Sequence, residues 1–249
     1  MSTQGSSKQG SDVRTPAGRD KSTPATSPCA EIDAFLQRAR TLAPPTEPGK
    51  RGRLMFALDA TMSRQPTWDT ACRLQAEMFR EADTVGGLDV QLIYYRGFNE
   101  CRASPWVSQA ARLADLMSAI DCRGGHTQIR KVLAHARRET AKQKVQALVF
   151  IGDAMEEPID DLSASAGELG MLGVPALMFH EGHDAVAERA FREIARLTRG
   201  AYCHFDSGSA ETLSELLRAA AVYAAGGVRA LSDMSGRQAG ARLLLQQLR

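Results

Sequence analysis

The sequence predicts an α/β fold, a doubly wound and mostly parallel six-stranded sheet with helices on both faces and one antiparallel edge strand. Three observations carry that expectation. Short apolar runs alternate with amphipathic stretches along most of the chain. Two of the runs, at 54–58 and 147–151, are apolar on consecutive residues, as strands buried on both faces are. Each of these two stops on an aspartate, Asp59 or Asp153, and a carboxylate at the end of a central strand sits where open α/β sheets bind ligands.

Taken in order, residues 1–29 hold Ser, Thr, Gly, Pro, Gln and mixed charge, and bury too little to offset their ordering entropy; a disordered tail is expected. Residues 30–49 read as a short helix, with Ile32, Phe35, Leu36 and Ala39 at helical spacing, and a linker broken by Pro44-Pro45 and Pro48-Gly49. The first strand follows, then a helix over 67–82 whose start tolerates Pro66. Gly86-Gly87 turns the chain into a second strand over 88–95. The Arg96-Gly97 link is too short for anything but a hairpin, so a third strand over 98–103 belongs at an edge. Helices over 107–120 and 128–141 flank the loop Asp121-Cys-Arg-Gly-Gly-His-Thr127. The fourth strand begins at 145. Helix 159–172, strand 174–180, helix 185–198 (stopped by Gly200), strand 201–206 and helix 209–225 complete a domain over 50–227. Residues 228–249 form a C-terminal tail or helix. No internal repeat occurs.

The totals exclude several classes. With 249 residues, 43% hydrophobic, the chain can bury one large core. A net charge of +2 gives no reason to expect nucleic acid or an anionic membrane as partner. No window approaches the ~18 apolar residues of a membrane helix, and the first residues lack the apolar core of a secretory signal. The five cysteines are odd in number and never form Cys-x-x-Cys, which suits reduced thiols. A cytoplasmic protein is the expectation.

The chemistry-bearing residues gather around strand ends. Asp59, Thr61 and Ser63 alternate after the first strand, Thr127 follows the Gly124-Gly125 pair, and Asp153 ends the fourth strand. All are hard oxygen donors of the kind magnesium and manganese take, although Asp59 or Ser63 could equally cap the next helix. Asp59-Ala-Thr61-Met-Ser63, Thr127 and Asp153, in this order on this framework, resemble the metal-ion-dependent adhesion site of the von Willebrand factor type A (VWA) domain, in its bacterial intracellular form. That family's site is Asp-x-Ser-x-Ser, a distant threonine and an aspartate ending strand four. Thr61 departs from it but keeps the hydroxyl, while Gly152 and Ala154 depart around Asp153.

The resemblance implies a domain that binds Mg2+, with Mn2+ or Ca2+ as substitutes, through Asp59, Thr61, Ser63, Thr127 and Asp153. It also implies an open coordination position completed by a protein partner's acidic residue, in some members within an AAA-type ATPase assembly. By the same analogy Arg64, His126, Met155, Glu156 and Glu157 line the rim, with Arg64 placed to pair with Glu156. No general base beside a nucleophile is recognisable, so an enzyme is not expected. A metal-dependent small-molecule or phosphoryl hydrolase is the alternative, but position 61 lacks the second carboxylate of a haloacid-dehalogenase-type site. His180-Glu-Gly-His183, or Cys122 with His126, falls short of the usual four zinc ligands.

Overall fold

The computed structural model describes residues 51–206 and 209–248. The expected tail over 1–29 and the helix and linker over 30–49 lie outside them. β1 (Gly52–Asp59) is buried along its whole length, which is why its apolar residues run consecutively. It pairs in parallel with β2 (Leu88–Arg96) on one side and β4 (Ala147–Gly152) on the other. β3 (Glu100–Ala103) pairs antiparallel with β2, as its short link requires. β5 (Ala176–Glu181) and β6 (Ala201–Phe205) extend the far side in parallel, giving the order β3-β2-β1-β4-β5-β6. The winding direction reverses at β1, so the segments leaving β1 and β4 diverge and open a crevice at the carboxyl ends of those two strands.

The helices are α1 (Gln65–Asp83), α2 (Ala110–Ser118), α3 (Ile129–Lys142), α4 (Ile159–Met171), α5 (Ala185–Thr198), α6 (Ala210–Ser235) and α7 (Ala239–Gln247). Alternate residues of β1 feed two cores, because successive strand side chains point to opposite faces. Leu54, Phe56 and Leu58 pack with Trp68 and Met78 of α1, Leu113 of α2 and Leu217 of α6. Met55 and Ala57 join Phe150 of β4 with Val132 of α3, Leu162 of α4 and Phe191 of α5. Truncating a fully buried ring such as Phe56 to alanine costs about 3–5 kcal/mol.

Of the boundaries that differ from the sequence expectation, three have a clear local reason. Helix α2 starts at Ala110 and not near 107, because Val107 exchanges backbone hydrogen bonds with Val90 at 2.8 Å and so extends the sheet. Strand β3 starts at Glu100, which leaves Phe98 at the hairpin tip and 79% exposed. The break expected at Gly226-Gly227 is a kink: Gly227 takes φ 69°, ψ −164°, and helix α6 resumes to Ser235. Beyond it, Leu231, Met234, Ala241 and Leu244 enter the first core. Gln247 accepts a hydrogen bond from the Tyr202 backbone N–H at 2.7 Å, so α7 covers the outer edge of β6.

Candidate metal centre

At its last residue, β1 leaves the sheet through a tight turn. The Ala60 N–H still reaches the Tyr95 carbonyl of β2 at 3.0 Å, and a single 3₁₀ turn, Met62–Arg64, then leads into α1. Asp59 accepts the Thr61 N–H on Oδ1 at 2.7 Å, the side-chain-to-backbone closure common in aspartate turns. Its other oxygen, Oδ2, is buried with no hydrogen-bond partner in a residue only 2% exposed. Tyr95 lies opposite in register, but its hydroxyl is outside hydrogen-bonding geometry and is the weakest influence on the carboxyl. Burial pushes the Asp59 carboxyl up to about 6; the Thr61 hydrogen bonds oppose this and the Asp153 charge adds to it.

The hydroxyls of the turn bridge the crevice. Thr61 Oγ1 and Ser63 Oγ are 3.3 Å apart, and Ser63 Oγ donates to Asp153 Oδ2 at 3.4 Å. Four of the five predicted donors therefore form one chain of contacts from β1 to β4. Thr127 is bonded instead to the loop after β4: its hydroxyl accepts the Glu156 N–H at 3.0 Å, and its own N–H donates to Glu156 Oε2 at 3.0 Å. The Gly-Gly pair explains how that loop comes so close. A Cβ on Gly125 would lie 2.1 Å from the Gly97 carbonyl, which also accepts the His126 N–H at 3.1 Å.

The rim differs from the sequence expectation in three places. Arg64 is buried and does not pair with Glu156. Its Nε lies 3.2 Å from Asp153 Oδ2, off the N–H direction, while Nη1 is bonded to Glu181, which also accepts the Thr67 hydroxyl. Glu156 instead meets His126 Nδ1 at 2.9 Å, and Phe98 packs on that imidazole with ring centroids 5.2 Å apart. Met155 is buried in the second core. Glu157, expected on the rim, accepts the Ile129 and Arg130 N–H groups at the start of α3, and burial raises its pKa.

Glu181 lies one residue past the strand end expected at His180, and an apolar strand finishing on an acid is the sequence signal that marks it. His180 is fully buried, with Nδ1 2.9 Å from the Tyr202 hydroxyl, and Cys122 lies in the first core, so neither drawn zinc pairing forms. The residues present suit a hard divalent cation. Every donor is an oxygen, and the unpartnered Asp59 Oδ2 is the kind of buried charge a cation satisfies.

No protein-family profile matches the chain, and no curated protein matches it in sequence. Its fold matches solved VWA domains. A von Willebrand factor type A structure from Catenulispora acidiphila aligns with TM-score 0.56 and 19% identity over 71% of this chain, which spans 43% of that one. An aerotolerance-related membrane protein from Bacteroides fragilis aligns with TM-score 0.53 and 19% identity, over 68% of this chain and 98% of the other. Proximal thread matrix protein 1 of the mussel byssus, whose adhesion-site motif is occupied by zinc, aligns with TM-score 0.54 and 16% identity over 71% of this chain and 46% of that one. The fold is thus that of a VWA domain. No described helix is long and apolar enough to cross a membrane.

Proposed function

We propose that this VWA-fold chain is a metal-dependent protein-interaction module, which binds a partner's carboxylate through Mg2+ held by Asp59, Thr61, Ser63, Thr127 and Asp153. The observation that carries the reading is the buried Asp59 oxygen without a partner, beside hydroxyls that contact one another and Asp153. When bound, the ion supplies a Lewis-acidic position that a carboxylate can complete. The protein's part is orientation. The Asp59 turn fixes Thr61, the 3₁₀ turn carries Ser63 to Asp153, and the reciprocal bonds with Glu156 hold Thr127. An acidic residue on a protein surface, alone or within an AAA-type ATPase assembly, is the complementary ligand.

The surroundings support binding over catalysis. Each nearby acid is engaged: Glu156 by His126 and Thr127, Glu157 by the start of α3, Glu181 by Arg64 and Thr67. The cleft beside the site, lined by Ser63, Arg64, Thr67 and Glu181, holds about 130 Å³, against the roughly 300–1,000 Å³ of small-molecule sites. Calorimetry should show one equivalent of Mg2+ taken up by the wild type and none by Asp59→Ala, and Asp- or Glu-bearing peptides should bind only with the ion. Equal uptake by both proteins would refute the site. Metal-dependent turnover of phosphate or ester substrates that disappears in Asp153→Asn would replace the binding role with a hydrolase.

A further inference from the structure

Farther along the same rim, β5 and β6 end side by side, with His180 opposite His204 in register. The loop after β5 carries His183, and Asp206 follows β6 directly. One ring nitrogen from each of His183 and His204 and one carboxylate oxygen of Asp206 lie within 4.8 Å of one another. Asp206 Oδ1 is 3.4 Å from His183 Nε2 and 3.9 Å from His204 Nε2. The two rings lie 4.8 Å apart at 31°.

This grouping is organised by the backbone and by the core beneath it. Gly182, at φ 82°, turns the loop back so that its N–H meets the Phe205 carbonyl at 3.2 Å, which brings His183 over the end of β6. The Gly182 carbonyl in turn accepts His204 Nε2–H at 2.7 Å, leaving Nδ1 as the nitrogen with a free lone pair. A backbone acceptor on one ring nitrogen is how metal-binding imidazoles are commonly held in one tautomer. His180 packs edge-on against the His204 ring at 6.0 Å and 81°, and is itself anchored by Tyr202.

We propose that His183, His204 and Asp206 form a second cation site, for a borderline divalent ion of the zinc type. Two imidazoles and a carboxylate are a donor set that Zn2+ accepts, whereas Mg2+ selects oxygen. Zn–N bonds of about 2.0–2.1 Å place tetrahedral donors about 3.3 Å apart. The His183–Asp206 separation already meets that spacing; His204 has to turn to present Nδ1, because the nitrogen 3.9 Å from Asp206 is the Nε2 bonded to Gly182. Three protein donors leave the fourth position to water or to a side chain presented by another molecule. The site stands independently of the oxygen-lined crevice, and the two take ions of different class.

The test titrates the full chain with Zn2+ by calorimetry, and with Co2+ by visible absorption, which distinguishes nitrogen and oxygen ligation from thiolate. Because Zn2+ also accepts oxygen donors, the titrations are run on Asp59→Ala. That variant should keep one equivalent of Zn2+ that excess Mg2+ does not displace, with a Co2+ spectrum free of thiolate charge transfer. Adding Asp206→Asn should weaken uptake about tenfold or more, and adding His183→Ala with His204→Ala should abolish it. His183 and Asp206 face solvent, so the melting curves of the variants at these two positions should superimpose on the parent's, separating lost ligation from lost fold. Zn2+ uptake unchanged by the double histidine substitution, or already absent in Asp59→Ala alone, would overturn the proposal.

Discussion

The β1–β4 crevice and the β5–β6 edge lie on one rim of one sheet, about 10 Å apart at two strand spacings, and they treat charge in opposite ways. At the crevice, Asp59 is 2% exposed and its carboxyl is lifted to about 6, while Asp153 is flanked by the buried guanidinium of Arg64, which also holds Glu181. At the edge, the side chains of His183 and Asp206 are 80% and 68% exposed. Water solvates each of them, so they cost the folded state little. The crevice is therefore organised before any ligand arrives, at a cost in stability; at the edge the backbone sets the loop while the exposed side chains of His183 and Asp206 stay solvated. Centrality decides this, because β1 has a strand on each side whereas β6 ends the sheet with α7 beyond it.

The contrast can be broken most severely at Arg64. Arg64→Met leaves Glu181 buried without its cation, and unfolding in urea should show a loss of about 3–5 kcal/mol. Adding Glu181→Leu should recover most of it, since the buried charge is then gone and Asp153, 24% exposed, keeps access to water. A loss under 1 kcal/mol would mean that water reaches the pair.

The second test reverses the sign. Asp59 has a folded-state pKa of about 6 against an ordinary value of 3.8, so its ionised form opposes folding. That penalty is absent below the lower value, grows between the two, and is complete above the upper one. Asp59→Asn in EDTA should therefore raise stability by about 3 kcal/mol at pH 7.5, with the gain fading as pH falls from 6 toward 4. A gain independent of pH would detach it from this carboxyl.

Thr127→Ala probes the crevice more gently. It removes the acceptor for the Glu156 N–H and should cost about 1–2 kcal/mol of stability, together with about tenfold in Mg2+ affinity. Loss of metal affinity without loss of stability would show that Thr127 is held by contacts other than the Glu156 exchange. The smallest effect belongs to the edge. His183→Ala or Asp206→Asn should change metal-free stability by less than about 0.5 kcal/mol, and a larger change would mean the edge is as preorganised as the crevice.

Much of this molecule is legible in its sequence. Consecutive apolar residues from Leu54 to Leu58 imply a strand covered on both faces, the Arg96-Gly97 link forces a hairpin, and Asp59 with Asp153 marks the carboxyl ends of two central strands. Each of these follows from local geometry, in which periodicity and link length set what the backbone can do. Tertiary structure alone decided the partners of the charges. Arg64 passes over Glu156 for Asp153 and Glu181, and Glu157 caps a helix that precedes it by a whole strand. His183 meets His204 and Asp206 only because β5 and β6 are neighbours. A charge interacts through space with whatever the fold brings within a few ångströms, and no spacing along the chain records which residue that will be.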